Sequence, residues 1–334
     1  MKKHIWIVLT FILFALIVLS IGVGEVKLSP LTVIRAFFGQ ANPFETLIIF
    51  QLRLPRIIIA ALAGMALAVA GGILQAITRN SLATPEMMGI SGGASVAAVS
   101  IIMIFSTNNE SLSISLYYLP LFAFLGSTIV ALLIYFLAWK QGVSSLRLIL
   151  VGIGFYTLLS AFVHLIVLLG PLFRAVQAKT WLAGSIYGTT WKEVIVFLPW
   201  LCVLFPIVYF FARSLTIHEL GENTAIGLGV SVKWERFILL LLCTALTGSA
   251  VAFVGGITFI GLIGPHLARR LVGNHYRYVL PTAALIGAIM VVGADLAGRT
   301  VLSPREIPAG VFTSLIGVPY FLYLIYQNRG QVSS

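Results

Sequence analysis

The sequence predicts an all-α polytopic membrane protein, and its composition is the first reason. Hydrophobic residues make up 60% of the 334-residue chain and charged residues only 9%, whereas soluble domains carry about 25% charge. The mean hydropathy is +1.06. Apolar runs close to the ~20 residues that a helix needs to cross a bilayer follow one another along the chain. Alternating stretches of about ten residues, typical of an outer-membrane barrel, are absent from the sequence.

Ten apolar runs separated by polar breaks are predicted to be transmembrane helices of a single domain, residues 1–334. The predicted helices cover residues 5–23, 57–75, 91–105, 117–138, 148–169, 194–212, 237–254, 257–271, 279–297 and 307–326. Glycines within residues 255–265 predict a broken helix there. The first run resembles a signal peptide, but its length favours an uncleaved first span.

The distribution of basic residues predicts the orientation of these helices. An even number of spans puts both termini on one side of the membrane. If Lys2 and Lys3 are cytoplasmic, twelve of the twenty-one Lys and Arg residues lie inside, a weak positive-inside bias that favours cytoplasmic termini. The net charge of +11 does not indicate a nucleic-acid partner, because the basic residues flank apolar runs singly or in pairs. Membrane lipid is their expected partner.

An internal similarity predicts an inverted repeat. Residues 61–73, ALAGMALAVAGGI, align without gaps to residues 245–257, ALTGSAVAFVGGI, with eight identities in thirteen positions. The two segments belong to the second and seventh predicted helices, which would cross the membrane in opposite directions. Inverted repeats are common in transport proteins, and here they would relate helices two to five to helices seven to ten. Chance matching among small residues is the alternative.

Enzyme chemistry is not indicated, and no catalytic residue, metal site or cofactor is predicted. The glycine-rich stretch TRNSLATPEMMGISGGA, residues 78–94, lacks the lysine of a phosphate-binding loop. The five histidines are scattered without metal-ligand spacing. Asp295 is the only aspartate in the sequence and lies four residues before Arg299, which predicts a helical ion pair rather than a proton relay. An energy source outside the chain is therefore expected for any transport.

Seven motifs lie in order along nearly the whole chain: LRLPR (52–56), GMALAVAGGILQ (64–75), RNSLATPEMMGISGGA (79–94), GENTAIGLGV (221–230), FIGLIGPHLARRLVG (259–273), GADLAGRT (293–300) and EIPAGVFTSLIGVPYFLYLI (306–325). Together they resemble the iron-siderophore and vitamin B12 permease family of ABC importers, the FecCD type. One departure is Ser81, where the family usually has proline after asparagine.

The resemblance implies a transport subunit, not an enzyme. It would import ferric siderophores by alternating access, with helices three, five and ten lining the path. The implied partners are two cytoplasmic ABC ATPases, an external substrate-binding protein and a second permease, identical or different. The implied location is the bacterial cell membrane. Alternatives left open are a permease for cobalamin or haem, an ion-coupled carrier and an intramembrane enzyme.

The resemblance also assigns three sets of residues. Arg53, Arg56 and Arg299 match positions that dock the binding protein, and arginine suits carboxylate partners because its planar fork binds them bidentately. Residues 214–230 resemble the element that couples to the ATPase, and their glycines predict short helices that break at Gly221 and at Gly227 or Gly229. The coupling positions are Gly221, Glu222, Ala225 and Gly229, and the positions matching the family's cytoplasmic gate and pathway are Asn80, Leu82 and Pro85.

Overall fold

The structure is a computed structural model that describes residues 2–24, 26–105, 119–138 and 145–328. Every regular element in these residues is helical. The helices are α1 (Lys2–Gly22), α2 (Pro30–Phe37), α3 (Pro43–Leu47), α4 (Leu54–Thr78), α5 (Ile90–Phe105), α6 (Leu119–Ala138), α7 (Ser145–Leu169), α8 (Leu172–Leu182), α9 (Trp191–Phe210), α10 (Ala212–Glu219), α11 (Glu222–Gly227), α12 (Val232–Val254), α13 (Ile260–Val272), α14 (Tyr276–Gly298) and α15 (Ala309–Asn328). A π-type turn, Ile48–Arg53, joins α3 to α4.

Each of the ten predicted apolar segments coincides with a helix, which confirms a multi-pass membrane protein. Among the described residues, eight helices are long and apolar enough to cross a bilayer. The other two segments correspond to α5 and α13, which have 16 and 13 residues. The count of ten crossings therefore stays a prediction. The twelve Lys and Arg residues counted above as cytoplasmic include Lys140 and Arg329, and these two lie outside the described residues.

Three helical features were not predicted from the sequence. The second span is longer than expected, since helical structure continues from Pro43 to Thr78. The short helix α2 begins after Ser29, whose side chain accepts a hydrogen bond from the Thr32 amide, and has proline at its first position. Helix α8 lies in a stretch too short and too polar to be taken for a span.

The core of the bundle is built around α4 and α12, whose apolar windows are 89% and 72% buried. Small residues let their neighbours approach closely. Gly64 of α4 faces the backbone of Gly287 in α14, and Gly248 of α12 faces Ser127 in α6. Gly64 and Gly248 occupy matching positions in the two similar segments. Under the predicted repeat these two contacts are equivalent, because α14 and α6 are the ninth and fourth predicted spans.

Adjacent glycines in α4 provide a test of this packing. A Cβ at Gly71 would fall inside the van der Waals radius of the Gly261 carbonyl oxygen, whereas a Cβ at Gly72 would lie 3.5 Å from the Pro265 side chain, an ordinary contact. Backbone cannot move aside as a flexible side chain can. We expect Gly71→Ala to lower the free energy of unfolding by about 1–3 kcal/mol, measured as a lower melting temperature in detergent.

Gly72→Ala is the matched control, in the same helix one residue away, and it should melt within a degree or two of the parent protein. Equal melting temperatures for the two variants would contradict the close approach of α4 to α13.

The predicted break near residue 255 is confirmed. Helix α12 ends at Val254, Gly255 and Phe259 have φ of +70° and +66°, and α13 begins at Ile260. The Phe259 ring lies against Gly317 of α15, where a Cβ would collide with it. Non-helical backbone at membrane depth is tolerated when it is buried in protein or lines a cavity, and Gly255 and Gly256 lie against carbonyls of α8.

Candidate functional site

The bundle has two polar ends, which α1 and α14 connect. The Lys2 ammonium lies 3.9 Å from the centre of the Tyr278 ring, near the beginning of α14. At the other end of these helices, the Arg299 Nη2 donates to the Ser20 carbonyl at 2.6 Å. We call the second end, formed by Arg53, Arg56, Asp295, Arg299 and Glu306, the arginine cluster. We call residues 214–230 at the first end the coupling segment.

Arg56 is the centre of the arginine cluster. Its Nε and Nη2 each lie 2.9 Å from Oδ1 of Asp295, and its Nη1 lies 2.9 Å from Oε1 of Glu306. The predicted pair of Asp295 with Arg299 is present at 3.5 Å. Arg56 is the closer partner, however, and sequence reasoning missed it because 239 residues separate it from Asp295.

Arg53 and Arg299 are buried and bind backbone. Their exposed fractions are 7% and 6%. Arg53 donates to the carbonyls of Ile21 and Val26, and Arg299 donates to that of Ser20. Since Ser20 and Ile21 lie in the last turn of α1, these guanidinium groups bind carbonyls that have no helical partner. In this conformation Arg53 and Arg299 hold the end of α1 in place and do not form the exposed surface of the arginine cluster.

Arg56 lies at an open cleft of about 330 Å³ beside the arginine cluster. The cleft is lined by residues of α8, the turns after it and the segment preceding α15, including Tyr187 and Glu306. The side chain of Arg56 is 13% exposed and that of Glu306 35% exposed. Of the three arginines predicted to dock a partner, Arg56 is the one that reaches such a cleft.

The coupling segment has the predicted breaks. Helix α10 is followed by Gly221, with φ of +112°, and α11 is followed by Gly229, with φ of +81°. Glu222 occupies the first turn of α11, where a negative charge is favoured by the helix dipole. Its Oε2 lies 3.5 Å from Nη2 of Arg236 in α12. Ala225 is fully buried.

Polar contacts connect α10 to two membrane helices, α12 and α14. Nε2 of His218 lies 3.3 Å from Oε2 of Glu235 in α12, and burial lowers the pKa of His218. On the other side, the Tyr276 amide donates to Thr216 at 3.0 Å and the Tyr276 hydroxyl donates to Glu219 at 2.9 Å. A displacement of α10 therefore acts on α12 and α14 together.

A chain of hydrogen bonds continues from Tyr276 toward the broken helix. Arg269 of α13 donates to the Tyr276 hydroxyl at 3.3 Å and also donates to Gln75 of α4. The Gln75 amide donates to the buried carbonyl of Gly261 at 3.1 Å. The sequence offered one signal for this network: a polar amide within the apolar second span needs a partner inside the protein.

The predicted gate positions Asn80, Leu82 and Pro85 lie in a compact turn, residues 79–89, between α4 and α5. Arg79 ends α4 with φ of +51°. Oδ1 of Asn80 accepts a hydrogen bond from the Leu82 amide at 2.9 Å, which shapes the turn although Ser81 replaces the family's proline. The Pro85 ring lies against Gly261 at the start of α13. The carboxyl oxygens of Glu86 are buried, and burial raises the pKa of that group.

The gate and the coupling segment meet at a polar cleft. A Cβ built on Gly221 would lie 3.6 Å from Nη1 of Arg79. The cleft has a volume of about 310 Å³ and is lined by residues from both, including Asn80 and Glu219, and by Arg269 of α13. Predicted gate and coupling residues that are far apart in sequence thus lie at one end of the bundle, and the predicted docking arginines lie at the other.

Membrane-length helices, a broken helix in the core and polar sites at both ends define a multi-pass membrane transporter. The chain belongs to the FecCD transport family, whose family model matches residues 12–327. It is accordingly a transport permease and not a catalytic subunit.

Two relatives resemble the chain over nearly its full length. It is 46% identical to the probable siderophore transport system permease protein YfhA of Bacillus subtilis, over 98% of this chain and 96% of that protein. It is 42% identical to the iron(3+)-hydroxamate import system permease protein FhuG of the same organism, over 98% of each. A solved structure described as an inward-facing conformation of a transporter assigned to the metal-chelate ABC type superposes with a TM-score of 0.85 at 32% identity, covering 98% of this chain and all of that one.

Proposed function

We propose that this chain is the permease subunit of an ATP-driven importer for ferric siderophores in a bacterial cell membrane. The observation that carries the proposal is the end-to-end similarity to permeases named for siderophores, ferric hydroxamates and ferric citrate. The chelate would pass from a binding protein into the cytoplasm by alternating access. The ATPase would drive this alternation by making different contacts with the two states of the permease, one open to each side of the membrane.

The permease is proposed to work as a dimer, with the path between two permease subunits. Helices α7 and α15 leave room for this arrangement, because only 11% and 28% of their apolar windows are buried within the chain, as little as for α1 and α9 at 17% and 28%. Their exposed side chains include Leu168 and Leu315, at 80% and 68% exposure. These are the fifth and tenth predicted spans, and with α5, the third, they are the expected lining of the path.

Ten crossings, an inverted repeat and cytoplasmic termini complete the proposed topology. In that topology α5 and α13 are the short third and eighth crossings, and the equivalent contacts of Gly64 and Gly248 support the repeat. The coupling segment then faces the cytoplasm together with Lys2. Its position suits contact with an ATPase, and the hydrogen bonds from α10 to α14, α13 and α4 offer a mechanical connection to the gate.

The substrate is tested by uptake in cells. A strain that lacks the gene should lose uptake of a radiolabelled ferric siderophore and regain it when the gene is restored. Radiolabelled cobalamin and haem are the competing substrates. If restoring the gene restores cobalamin or haem uptake but not that of any iron chelate, the assignment to siderophores is wrong while the ABC permease assignment stands.

A binding protein is proposed to dock at the cleft beside Arg56 and place a carboxylate there. Arg56→Glu should weaken its affinity at least about tenfold, because a like charge replaces the cation that would meet the carboxylate. Affinity is measured by surface plasmon resonance on folded protein in nanodiscs. Arg53 and Arg299 would contribute indirectly, by holding the backbone at the end of α1.

Glu306→Gln is the control for this experiment. It removes the exposed carboxylate that competes for Arg56, so affinity should stay the same or rise. Unchanged affinity of folded Arg56→Glu would remove Arg56 from the docking surface.

A further inference from the structure

We propose that a groove between α1, α9 and α14 binds one phospholipid with an anionic headgroup, the acyl chain in the groove and the headgroup at Lys2 and Arg277. The groove has a volume of about 650 Å³, within the range of ligand sites in proteins. Residues that line it include Trp6, Met65, Val69, Phe205, Tyr209 and Leu285.

The groove is apolar, and two helix prolines lie in its lining. α4 forms its floor, and α9 and α14 form its walls, each with a proline in the groove lining, Pro206 and Pro281. A proline within a helix removes one backbone hydrogen bond and favours a local bend. The Trp6 indole closes the α1 side by donating to Thr282 of α14 at 2.9 Å. Such a depression in a membrane-facing surface fits a hydrocarbon chain.

Two cations stand at one end of this groove. Nε of Arg277 donates to the hydroxyl of Tyr209, a groove residue, at 3.2 Å. The Lys2 ammonium lies 3.9 Å from the centre of the Tyr278 ring, and that ring lies 6.1 Å from the ring of Trp6, another groove residue. Of the residues that the structure describes, no carboxylate lies within salt-bridge distance of Lys2 or Arg277.

These features select an anionic lipid over other occupants. Tyrosine and tryptophan are enriched where membrane helices meet the headgroup region. Basic pockets between helices at the cytoplasmic surface bind acidic lipid headgroups. Two cations without an acidic partner favour phosphatidylglycerol, which carries a net negative charge, over zwitterionic phosphatidylcholine. The proposal rests on the proposed topology, which puts Lys2 at the cytoplasmic surface, and it does not depend on the transported substrate.

Native mass spectrometry of the delipidated full-length protein, titrated with each lipid in turn, tests the site. One phosphatidylglycerol should bind on the order of thirtyfold more tightly than phosphatidylcholine, since each cation near an anionic surface contributes about a factor of five. Lys2→Gln with Arg277→Gln should bring the two lipids to equal affinity. Ala284→Phe, which fills the groove from α14, should weaken binding of both lipids.

Lys3→Gln with Lys233→Gln is the matched control. It removes the same charge from two exposed lysines outside the groove, and it should keep the preference for phosphatidylglycerol. Equal affinity of the parent protein for both lipids would overturn the headgroup assignment. Loss of the preference in the control variant, or undiminished lipid binding by Ala284→Phe, would overturn the location of the site. Crosslinking of a second polypeptide in the groove would show that a protein, and not a lipid, occupies it. Thermal melting of each variant verifies that it is folded.

Discussion

Gly221→Ala is expected to reduce ATP-driven uptake at least tenfold while the transporter stays assembled. Gly221 has φ of +112° and ψ of 156°, a region open essentially to glycine alone, in which another residue costs about 1–3 kcal/mol. Because alanine would be strained in this region, the backbone between α10 and α11 would adopt another conformation. Because this turn sets how the coupling segment projects, ATP hydrolysis should continue without transport. Uptake and ATP hydrolysis are measured on the same proteoliposomes.

Gly227→Ala is the control in the same segment. A Cβ at that position has open space, and its backbone is not in the left-handed region. Uptake by this variant should match the parent protein. If Gly221→Ala transports normally, the assignment of this turn to ATPase coupling is wrong.

Asp295→Ala is expected to destabilise the arginine cluster strongly. The carboxylate is 2% exposed and is shared by Arg56 and Arg299. Its removal leaves two guanidinium groups in a buried position without their common counter-ion. Breaking a buried ion pair in this way costs about 3–5 kcal/mol. Thermal melting in detergent and the yield of monodisperse protein both report the loss.

Glu306→Ala is the comparison on the exposed side of the same cluster. Its carboxylate also binds Arg56 but is 35% exposed, so its loss should cost no more than about 1 kcal/mol. Equal destabilisation by the two substitutions would show that burial does not decide the strength of this cluster.

The transmembrane helices were predictable from the sequence because lipid requires long apolar runs. The breaks at Gly221, Gly229 and Gly255 were also predictable, since glycine at a turn has a local conformational cause. Short helices such as α2 and α8 were missed because they never need to be apolar over the length of a span.

The pairing of polar groups was not predictable. Arg56 contacts Asp295, and Gln75 contacts Arg269, only once the helices have packed. In the sequence these partners are 239 and 194 residues apart. A single sequence shows each of these side chains as a lone polar residue near an apolar run. It therefore suggested an exposed role for Arg53 and Arg299, whose guanidinium groups in fact lie buried against α1.

The central claim is that this permease has no energy source of its own and is driven by a separate ATPase acting on the coupling segment. Proteoliposomes with the permease, its binding protein and radiolabelled ferric siderophore test it most directly. We expect uptake only when ATP and a hydrolysis-competent ATPase are both present, and no response to a proton gradient alone. Accumulation driven by a proton gradient in liposomes without the ATPase would contradict the account.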